Sequence, residues 1–451
     1  MTLKFGTDGV RGVANLELTP ELALSFGRAA ADVLGPAPRF VVGSDTRRSS
    51  PMLAAAFSAG VAARGIDVVD LGLVPTPAVA WVCAGQGVPG AVVSASHNPF
   101  ADNGIKLFAP GGRKLTDDVE ERIEALIEAS GPGKAGPPGV PVGASVGSVT
   151  VGRSLADGWA ASVAGSLGGR RLRGLAVVLD CANGAASGWA PRLFQSLGAR
   201  VYATHTEPDG TNINQACGAT HLGDLQRAVI ERGAGLGVAF DGDADRCLAV
   251  DHRGEVVDGD QILAVLAIDR HDRGALAGDT VVVTVMSNLG FRRAMAERGI
   301  TVVETQVGDR YVLDALDAGG FVLGGEQSGH VIQRDLATTG DGILTGIHLC
   351  DAVQRADRPL AELAAVMRRL PQVLRNVHLP HRDPEVVDAV AADVAAAEAE
   401  LDGRGRVLIR TSGTEPLVRV MVEADTEQRA AELADRLVAA VEAAGTRTRD
   451  E

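Results

Sequence analysis

Three segments of the chain share one pattern of apolar and polar positions. In each, a β-branched apolar run ends in small polar residues, a helical segment follows and ends near glycine, and another apolar run begins. The copies run from FVVGSDTR to IDVVDLG, from LAVVLDCANG to ARVYATH, and from TVVVTVMSNLG to ITVVETQ. Gly65, Gly198 and Gly299 stand where a helix end favours a left-handed residue. The pattern predicts three strand–helix–strand units with parallel strands and right-handed crossovers.

A polar cluster follows a further apolar run after each copy. The three stretches are GAVVSASHNP, GLGVAFDGDADR and GFVLGGEQSGH. In open α/β sheets, ligands bind beyond the carboxyl ends of the strands. Each stretch therefore predicts a ligand-facing loop, and one shared central cleft is the simplest arrangement of the three.

Changes in pattern along the chain indicate four domains. A stretch rich in Pro and Gly spans residues 130–150, and another transition lies near residues 370–380. Beyond it we expect a strand, the helix PEVVDAVAADVAAAEAELDG, the hairpin RVLIRTSGTEPLVRVMVEA and a last helix. The prediction is an α/β protein with three related domains of mixed or parallel sheets, residues 1–150, 151–255 and 256–370, and a smaller C-terminal α+β domain, residues 371–451.

The charge, the cysteine pattern and the apolar runs of the chain argue against several classes of partner and location. The formal net charge of −14 argues against nucleic acid or an anionic membrane as the main partner. Five dispersed cysteines without a CxxC pair predict reduced thiols and a cytoplasmic location. The N-terminus lacks the apolar core of a signal peptide, and apolar runs stay short of the roughly 20 residues that span a bilayer.

Two literal motif matches are chance matches in this interpretation. GPGKAG at residues 131–136 fits the dinucleotide-binding fingerprint but follows a helical segment instead of a strand. GASVG at residues 143–147 fits the hydrolase elbow around Ser145, yet its neighbours are loop-like.

The stretch DGDADR predicts a cation site. Asp241, Asp243 and Asp245 follow a predicted strand, and three such carboxylates repel one another unless a cation joins them. Oxygen ligands suit Mg²⁺ or Ca²⁺. An EF-hand loop is excluded, because Arg246 stands where that loop needs Gly and His252 where it needs Glu. A solvated acidic turn is the alternative.

Ser94 and Ser96 raise the question of a reacting serine. A hydrolase nucleophile needs a positioned base, and the adjacent His97 is poorly placed by sequence to serve as one. A serine that carries a phosphoryl group beside the cation is the second hypothesis. A strand-end turn with local hydrogen bonds is the third.

Lysine is rare in this chain. Only four of its 43 basic residues are lysine, at positions 4, 106, 114 and 134. A lysine can lose its proton where its surroundings disfavour charge, whereas an arginine keeps its proton. Lys106, close to the serine segment, is therefore a candidate proton carrier or phosphate contact.

Two further loops carry ligand-binding residue types. RTSGTEPLVR, residues 410–419, has hydroxyls and a glycine between two arginines, which favours a phosphate-binding loop over a plain hairpin turn. The candidate phosphate contacts are Arg410, Thr411, Ser412, Gly413, Thr414 and Arg419. In GGEQSGH, Glu326, Ser328 and His330 suit a polyhydroxyl ligand.

Together, SASHNP, DGDADR, GEQSGH and RTSGTEP resemble, in order and over the whole chain, the α-D-phosphohexomutase superfamily. FGTDGVRG and GEQSGH are similar to the branch that acts on glucosamine phosphates. The resemblance implies that Ser96 is phosphorylated and holds Mg²⁺ together with the three aspartates. It places Lys106 and His330 at proton-transfer positions, without deciding which is the acid. The other implied site residues are Arg11, His97 and Arg246 beside the centre, Glu326, Ser328, Gly308, Asp309 and Arg310 near the sugar, and residues 410–414 with Arg419 at the distal phosphate.

The implied enzyme is an isomerase, an intramolecular phosphotransferase. It interconverts glucosamine 6-phosphate and glucosamine 1-phosphate, with a hexosamine or glucose bisphosphate as primer, and feeds UDP-N-acetylglucosamine and peptidoglycan precursor synthesis. A homodimer is compatible with the sequence. The alternatives are a phosphomannomutase/phosphoglucomutase, a non-catalytic phosphosugar sensor and a metal-dependent phosphatase.

Overall fold

The computed structural model describes residues 5–6, 9–130, 140–381, 385–411 and 416–447. The chain forms two compact units. The first comprises Met1–Met286 and Gly299–Val366, and the second comprises Ser287–Arg298 and Met367–Glu451. The predicted domain boundaries near residues 150, 255 and 370 stay predictions.

The first unit begins with a seven-stranded sheet in the order β1-β5-β4-β2-β3-β7, with β6 paired to β5. Its strands are β1 Val10–Val13, β2 Arg39–Ser44, β3 Asp67–Leu73, β4 Gly90–Val93, β5 Asp102–Ala109, β6 Arg113–Lys114 and β7 Val149–Val151. The helices of this segment are α1 Pro20–Leu34, α2 Ser50–Ala62, α3 Thr76–Gln86 and α4 Asp117–Ser130. Helix α1 starts where Thr19 accepts a hydrogen bond from the Leu22 amide at 3.2 Å and proline takes the first turn.

A five-stranded sheet follows in the order β12-β11-β10-β8-β9. Its strands are β8 Ala176–Asp180, β9 Arg200–Thr204, β10 Leu236–Phe240, β11 Cys247–Asp251 and β12 Val256–Val257. The helices of this segment are α5 Leu155–Gly165, α6 Ala190–Ser196 and α7 Gly223–Arg232.

The third sheet has four strands in the order β14-β13-β15-β16. The elements along this part of the chain are α8 Gly259–Asp272, β13 Thr280–Thr284, α9 Leu289–Glu297, β14 Thr301–Thr305, α10 Asp309–Gly319, β15 Leu323–Gly325, β16 Val331–Gln333, α11 Gly342–Ala356 and α12 Leu360–Ala364. Of these, α9 belongs to the second unit.

One strand arrangement recurs in all three sheets. The central orders β5-β4-β2-β3, β11-β10-β8-β9 and β16-β15-β13-β14 each join three parallel strands to one antiparallel strand. Gly65, Gly198 and Gly299 have φ of 80°, 94° and 71°. The three predicted strand–helix–strand units are confirmed, and each polar cluster follows the strand that pairs in parallel with the first strand of its unit.

The second unit contains a small antiparallel sheet in the order β17-β19-β18. Its further elements are β17 Gln372–His378, α13 Val386–Ala389, α14 Ala391–Leu401, β18 Arg406–Thr411, β19 Leu417–Glu423 and α15 Glu427–Arg447. The predicted hairpin and α+β class are confirmed. The single helix predicted after residue 383 is wrong: Val390 leaves the helical conformation, with φ −102° and ψ 9°, and its side chain is buried in the core.

The remaining expectations from the sequence concern thiols, chance motifs and membranes. All five cysteines are free and buried. Ser145 lies in an exposed 3₁₀ turn, so no strand-to-helix elbow surrounds it, and residues 131–136 fall outside the described part of the chain. Among the described helices, none has the length and apolar character needed to cross a membrane.

Candidate active site

The three polar loops of the first unit meet one another. Ser96, which follows β4, donates a hydrogen bond from Oγ to Asp241 Oδ2 at 2.5 Å, and Asp241 directly follows β10. His330, in the loop after β15, places Nε2 4.0 Å from Asp245 Oδ2. Residues from three sheets therefore form one continuous polar site.

The structure distinguishes the two serines. Ser94 is turned to Asp45, donating to its Oδ2 at 2.6 Å, and it accepts the Ser96 amide hydrogen at 3.0 Å. Ser96 adopts the left-handed conformation with φ 53°, which is unusual for a residue with a side chain. That backbone turn directs the Ser96 hydroxyl to the aspartates, so the two neighbouring serines have different surroundings.

Arg47 holds the Ser96 loop from inside the protein. Its guanidinium pairs with Asp45 at 2.9 Å and donates to the Ser96 and Asn98 carbonyls at 2.9 Å each. It also donates to the Asp102 carbonyl at 2.9 Å and to the Pro99 carbonyl. Asn214, in the segment after β9, reaches the same loop and donates to the Ser96 carbonyl at 2.8 Å. The loop conformation is thus fixed by buried donors.

Asp241, Asp243 and Asp245 form the predicted carboxylate cluster. The three side chains are buried, and each places an oxygen within 4.8 Å of the others. Burial raises the pKa of Asp241 well above its ordinary value, and the charges of Asp245 and Asp243 raise it further. Within the described part of the chain, Asp243 Oδ1 is buried without a hydrogen-bond partner. Clustered, partly unsatisfied oxygens are the donor set that a hard divalent cation takes, so the residues fit Mg²⁺.

Lys106 lies in the middle of β5 and points into this cluster. The side chain is 2% exposed, and Nζ donates to Asp243 Oδ2 at 2.6 Å and to Asp245 Oδ2 at 3.3 Å. Thr76, at the start of α3, donates to the same Asp243 oxygen at 2.7 Å. Strand β5 therefore places the Lys106 ammonium group in a buried site, where the negative carboxylates offset the cost of burying its charge.

His97 and Arg246 lie beside Ser96, and the charge of Arg11 acts on His97. His97 Nδ1 is 3.3 Å from Ser96 Oγ and 3.4 Å from Arg246 Nη1. Burial lowers the pKa of His97, and the charges of Arg246 and Arg11 lower it further. A neutral imidazole against the hydroxyl, with two guanidinium groups nearby, suits an anionic group on Ser96.

The loop after β15 brings His330 to the other side of the aspartates. Its Nε2 lies 3.4 Å from Asp309 Oδ2, and Lys114 Nζ contacts the same carboxyl at 2.6 Å. His330 is buried, and neither ring nitrogen has a hydrogen-bond partner in the described residues. A ring nitrogen of His330 is therefore available to form a hydrogen bond with a bound ligand.

Glu326 and Ser328 form the predicted sugar loop with Gly308. The Gly308 amide donates to Glu326 Oε1 at 3.1 Å, and Ser328 Oγ is 3.5 Å from Glu326 Oε2. Arg310 instead contacts Asp117 and the Leu115 carbonyl, the latter at 3.2 Å. Gly308 and Glu326 are thus next to each other, while Arg310 is engaged with α4.

In the second unit, Arg410 and Arg419 lie directly opposite each other on β18 and β19. Like charges in facing positions destabilise a sheet unless an anion or a carboxylate compensates them. Thr411 ends β18, whereas the predicted contacts Ser412, Gly413 and Thr414 lie outside the described residues.

Sequence reasoning missed several residues of the site. Arg47, Asp45, Asn214 and Thr76 act through contacts between distant segments, for which no local motif exists. Lys114 had a usable signal, because it shares with Lys106 the rarity of lysine in this chain.

Four family models match the chain. They describe the phosphoglucomutase/phosphomannomutase α/β/α domains I, II and III at residues 2–133, 161–254 and 258–370, and the C-terminal domain at residues 374–440. Two curated relatives are the phosphoglucosamine mutases of Frankia alni, 55% identical over 98% of this chain and 99% of that one, and Salinispora tropica, 53% identical over 98% of each.

Solved structures share the fold. A phosphoglucomutase/phosphomannomutase family protein from Burkholderia thailandensis covers 97% of both chains at 27% identity and a TM-score of 0.82. The Aspergillus fumigatus N-acetylphosphoglucosamine mutase, solved with GlcNAc-6P and magnesium, covers 99% of this chain and 96% of its own at 18% identity and a TM-score of 0.70. The chain therefore belongs to the phosphoglucomutase/phosphomannomutase family, the α-D-phosphohexomutases.

Proposed function

We propose that this protein is a phosphoglucosamine mutase, an isomerase that interconverts glucosamine 6-phosphate and glucosamine 1-phosphate. The observation that carries the proposal is the Ser96 hydroxyl held 2.5 Å from a buried carboxylate cluster that also receives Lys106. The names of the curated relatives support the choice of sugar. A cytoplasmic location and a role in supplying UDP-N-acetylglucosamine and peptidoglycan precursors belong to the same proposal.

Ser96 is the phosphoryl carrier in this proposal. Its Oγ–phosphorus bond breaks as the phosphoryl group passes to a free sugar hydroxyl, and the bisphosphorylated sugar later returns its other phosphoryl group to Ser96. Asp241, Asp243 and Asp245 would hold Mg²⁺ together with the Ser96 phosphate. That cation, when bound, screens the charge on the phosphoryl oxygens. Arg246, Arg11 and His97 face the same anionic group.

Proton movement falls to Lys106 and His330. The attacking sugar hydroxyl must lose a proton, and Ser96 must regain one when its phosphoryl group leaves. Lys106 Nζ is in contact with Asp243 and Asp245, and His330 lies near Asp245 and Asp309. Lysine and histidine side chains are both used in catalysis to carry a proton to or from a bound ligand.

Binding of the sugar and of its second phosphate is assigned to two sets of residues. Glu326, Ser328 and the segment Gly308, Asp309 and Arg310 contact sugar hydroxyls or support those that do. Arg410, Thr411, Ser412, Gly413, Thr414 and Arg419 bind the phosphate that is not being transferred. Because the bisphosphorylated intermediate must reverse its orientation between the two transfers, these contacts must accept either end of it. A hexosamine or glucose bisphosphate is the expected primer.

A phosphomannomutase/phosphoglucomutase is the second candidate, favoured by the solved structure from Burkholderia thailandensis. It would use the same serine and metal and differ in sugar. Turnover of glucosamine, glucose and mannose 1-phosphates separates the two. We expect the highest kcat/KM with the amino sugar; an equal or higher value with mannose 1-phosphate would favour the second candidate.

The serine assignment is tested with a matched pair. Ser96→Ala should lose mutase turnover by several orders of magnitude even with added bisphosphate, because the Ser96 hydroxyl faces Asp241 whereas the Ser94 hydroxyl is turned to Asp45. Ser94→Ala loses only two supporting hydrogen bonds, worth about 1 kcal/mol each, so turnover should fall by at most roughly 30-fold. Turnover is followed by ³¹P NMR, and intact mass reports the phosphoryl group. Active Ser96→Ala protein would refute the mechanism, and release of inorganic phosphate alone would indicate a phosphatase.

A further inference from the structure

A second cluster of metal-ligand side chains lies in the first unit, one strand away from the aspartates. Asp180, His205 and Cys217 each place a ligand atom within 4.8 Å of the other two. Asp180 is the last residue of β8, and His205 directly follows β9, the neighbouring parallel strand. Cys217 comes from the segment that returns from β9. Three separate stretches of backbone therefore converge on one point.

The donor atoms are spaced as ligands of one ion. His205 Nδ1 lies 3.1 Å from Asp180 Oδ1. The Nδ1 atom is buried and is paired with this carboxylate. Zinc–nitrogen and zinc–oxygen bonds of about 2.0–2.2 Å at tetrahedral angles separate two ligand atoms by about 3.3–3.5 Å. The His205–Asp180 distance thus needs only a small adjustment to receive an ion.

Neighbouring groups orient the side chains of the cluster, as the residues around the ligands do in metal sites. Asp180 Oδ1 and Oδ2 accept the backbone amides of Ala182 and Gly218 at 2.9 Å each, which fixes the carboxylate and leaves lone pairs available. Asp224 Oδ2 lies 3.5 Å from His205 Nε2, on the far side of the ring. Carboxylates therefore lie at both ring nitrogens of His205, and an ion that binds Nδ1 must displace a proton from that nitrogen.

Backbone strain is concentrated in the same segments. His205, Asn214 and Ala216 have φ of 49°, 59° and 52°, in the left-handed region. Such conformations persist where surrounding interactions require them, and they are common at functional sites. The segment also carries Asn214, which donates to the carbonyls of Ser96 and Asn98 at 2.8 and 3.0 Å. Interactions that fix the conformation of residues 205–217 therefore also support the Ser96 loop.

We propose that Asp180, His205 and Cys217 bind a divalent transition metal ion of the zinc type, separate from the magnesium ion of the active site. Mixed oxygen, nitrogen and sulfur donors favour such an ion over Mg²⁺, which takes oxygen ligands. Asp180 and Cys217 are buried, whereas the His205 side chain is 24% exposed and Asp224 44% exposed. The ion can enter from this side, and water completes its coordination.

The ion would tie β8, β9 and the segment 205–217 together. Binding breaks the Cys217 S–H bond, forms a sulfur–metal bond and releases the proton to solvent.

The test uses the full-length protein, stripped with chelator and kept in excess Mg²⁺ so that the aspartate cluster of the active site is occupied. Co²⁺ is then added and the thiolate-to-cobalt charge-transfer absorption is recorded, with Zn²⁺ uptake measured by elemental analysis. We expect one ion per chain and a thiolate-to-cobalt absorption band in the wild type, and the band should disappear when Zn²⁺ replaces Co²⁺.

Two variants and one control assign the ligands. Cys217→Ser should lose the band and the Zn²⁺-dependent rise in Tm; His205→Asn, which tolerates the left-handed backbone, should weaken uptake at least tenfold. Cys350→Ala removes a buried thiol of α11 and should behave as wild type. A wild-type protein that takes up no Zn²⁺ and shows no band overturns the proposal, as does a band that persists in Cys217→Ser. In either case the cluster is an ordinary histidine–aspartate pair beside a buried thiol.

Discussion

Arg47 directs all five of its N–H donors into the protein. One bonds to Asp45 and the other four bond to backbone carbonyls of residues 96–102. The side chain is fully buried, so it cannot itself contact a sugar. Its effect on the reaction passes through the position of Ser96, and it is a positioning residue.

Arg47→Lys is expected to lower kcat by about 10–100-fold with little change in KM, since one ammonium group cannot reproduce the planar set of five donors. Steady-state kinetics with a thermal melt measures this. Arg48→Lys, a change at the exposed neighbouring arginine, is the control. If Arg47→Lys raises KM and leaves kcat unchanged, the loop is positioned by other groups.

The residue types of the site could be predicted from the sequence, but the choice between them could not. SASHNP offers two serines, and only the left-handed turn at Ser96, held by Arg47 and Asn214, decides which hydroxyl faces Asp241. Arg47 and Asn214 act across 49 and 118 positions of the chain. Partners of that kind depend on the folded chain, and no local pattern indicates them.

Among the elements, α11 is buried along most of its length and carries a titratable group inside the first unit. His348 is 7% exposed, and its Nε2 lies 2.9 Å from Ser166 Oγ. Burial lowers the pKa of His348 to about 4, and the charge of Arg270 lowers it further. Between pH 6.5 and about 4, the unfolded chain binds a proton at this position that the folded chain does not.

This histidine should therefore destabilise the fold as the pH falls. For a pKa lowered from 6.5 to about 4, the loss at pH 5 is about 2 kcal/mol relative to neutral pH. His348→Gln should show a smaller decrease in the urea midpoint between pH 7.5 and pH 5 than wild type. His252→Gln, at an exposed position, is the control and should follow wild type. Equal decreases in all three proteins would show that His348 does not govern acid sensitivity.

Element types followed from the sequence where the pattern is local and repeated. β-branched runs, with Gly65, Gly198 and Gly299 after the intervening helices, predicted the parallel units, because both the strand composition and the left-handed glycines are local signals. The interruption between α13 and α14 was not predictable in the same way. Val390 leaves the helix while its side chain is buried, and this is decided by the tertiary core of the second unit.

At the scale of the whole molecule, the chemistry divides between the two compact units. Ser96, the three aspartates, Lys106 and His330 belong to the first unit, and Arg410 and Arg419 belong to the second. The second unit also includes Ser287–Arg298, and the Leu289 amide donates to Glu423 at 2.8 Å within it. Deleting residues 371–451 would therefore disrupt a segment outside the deletion, so a point substitution gives the cleaner test.

Arg419→Ala is expected to separate phosphoryl carriage from turnover. The Arg47 and Asn214 contacts that position Ser96 lie within the first unit, so the variant should still bind Mg²⁺ and carry phosphate on Ser96. Loss of one charge-assisted phosphate contact costs about 1.5–3 kcal/mol, which corresponds to a fall of about 10–150-fold in kcat/KM. Arg375→Ala, on the same sheet but in an exposed pair with Asp435 at 3.0 Å, is the matched control. Kinetics, bisphosphate release and the intact mass of each variant are measured together. If Arg419→Ala keeps wild-type kcat/KM and releases no more bisphosphate, the facing arginines of β18 and β19 do not bind the substrate phosphate.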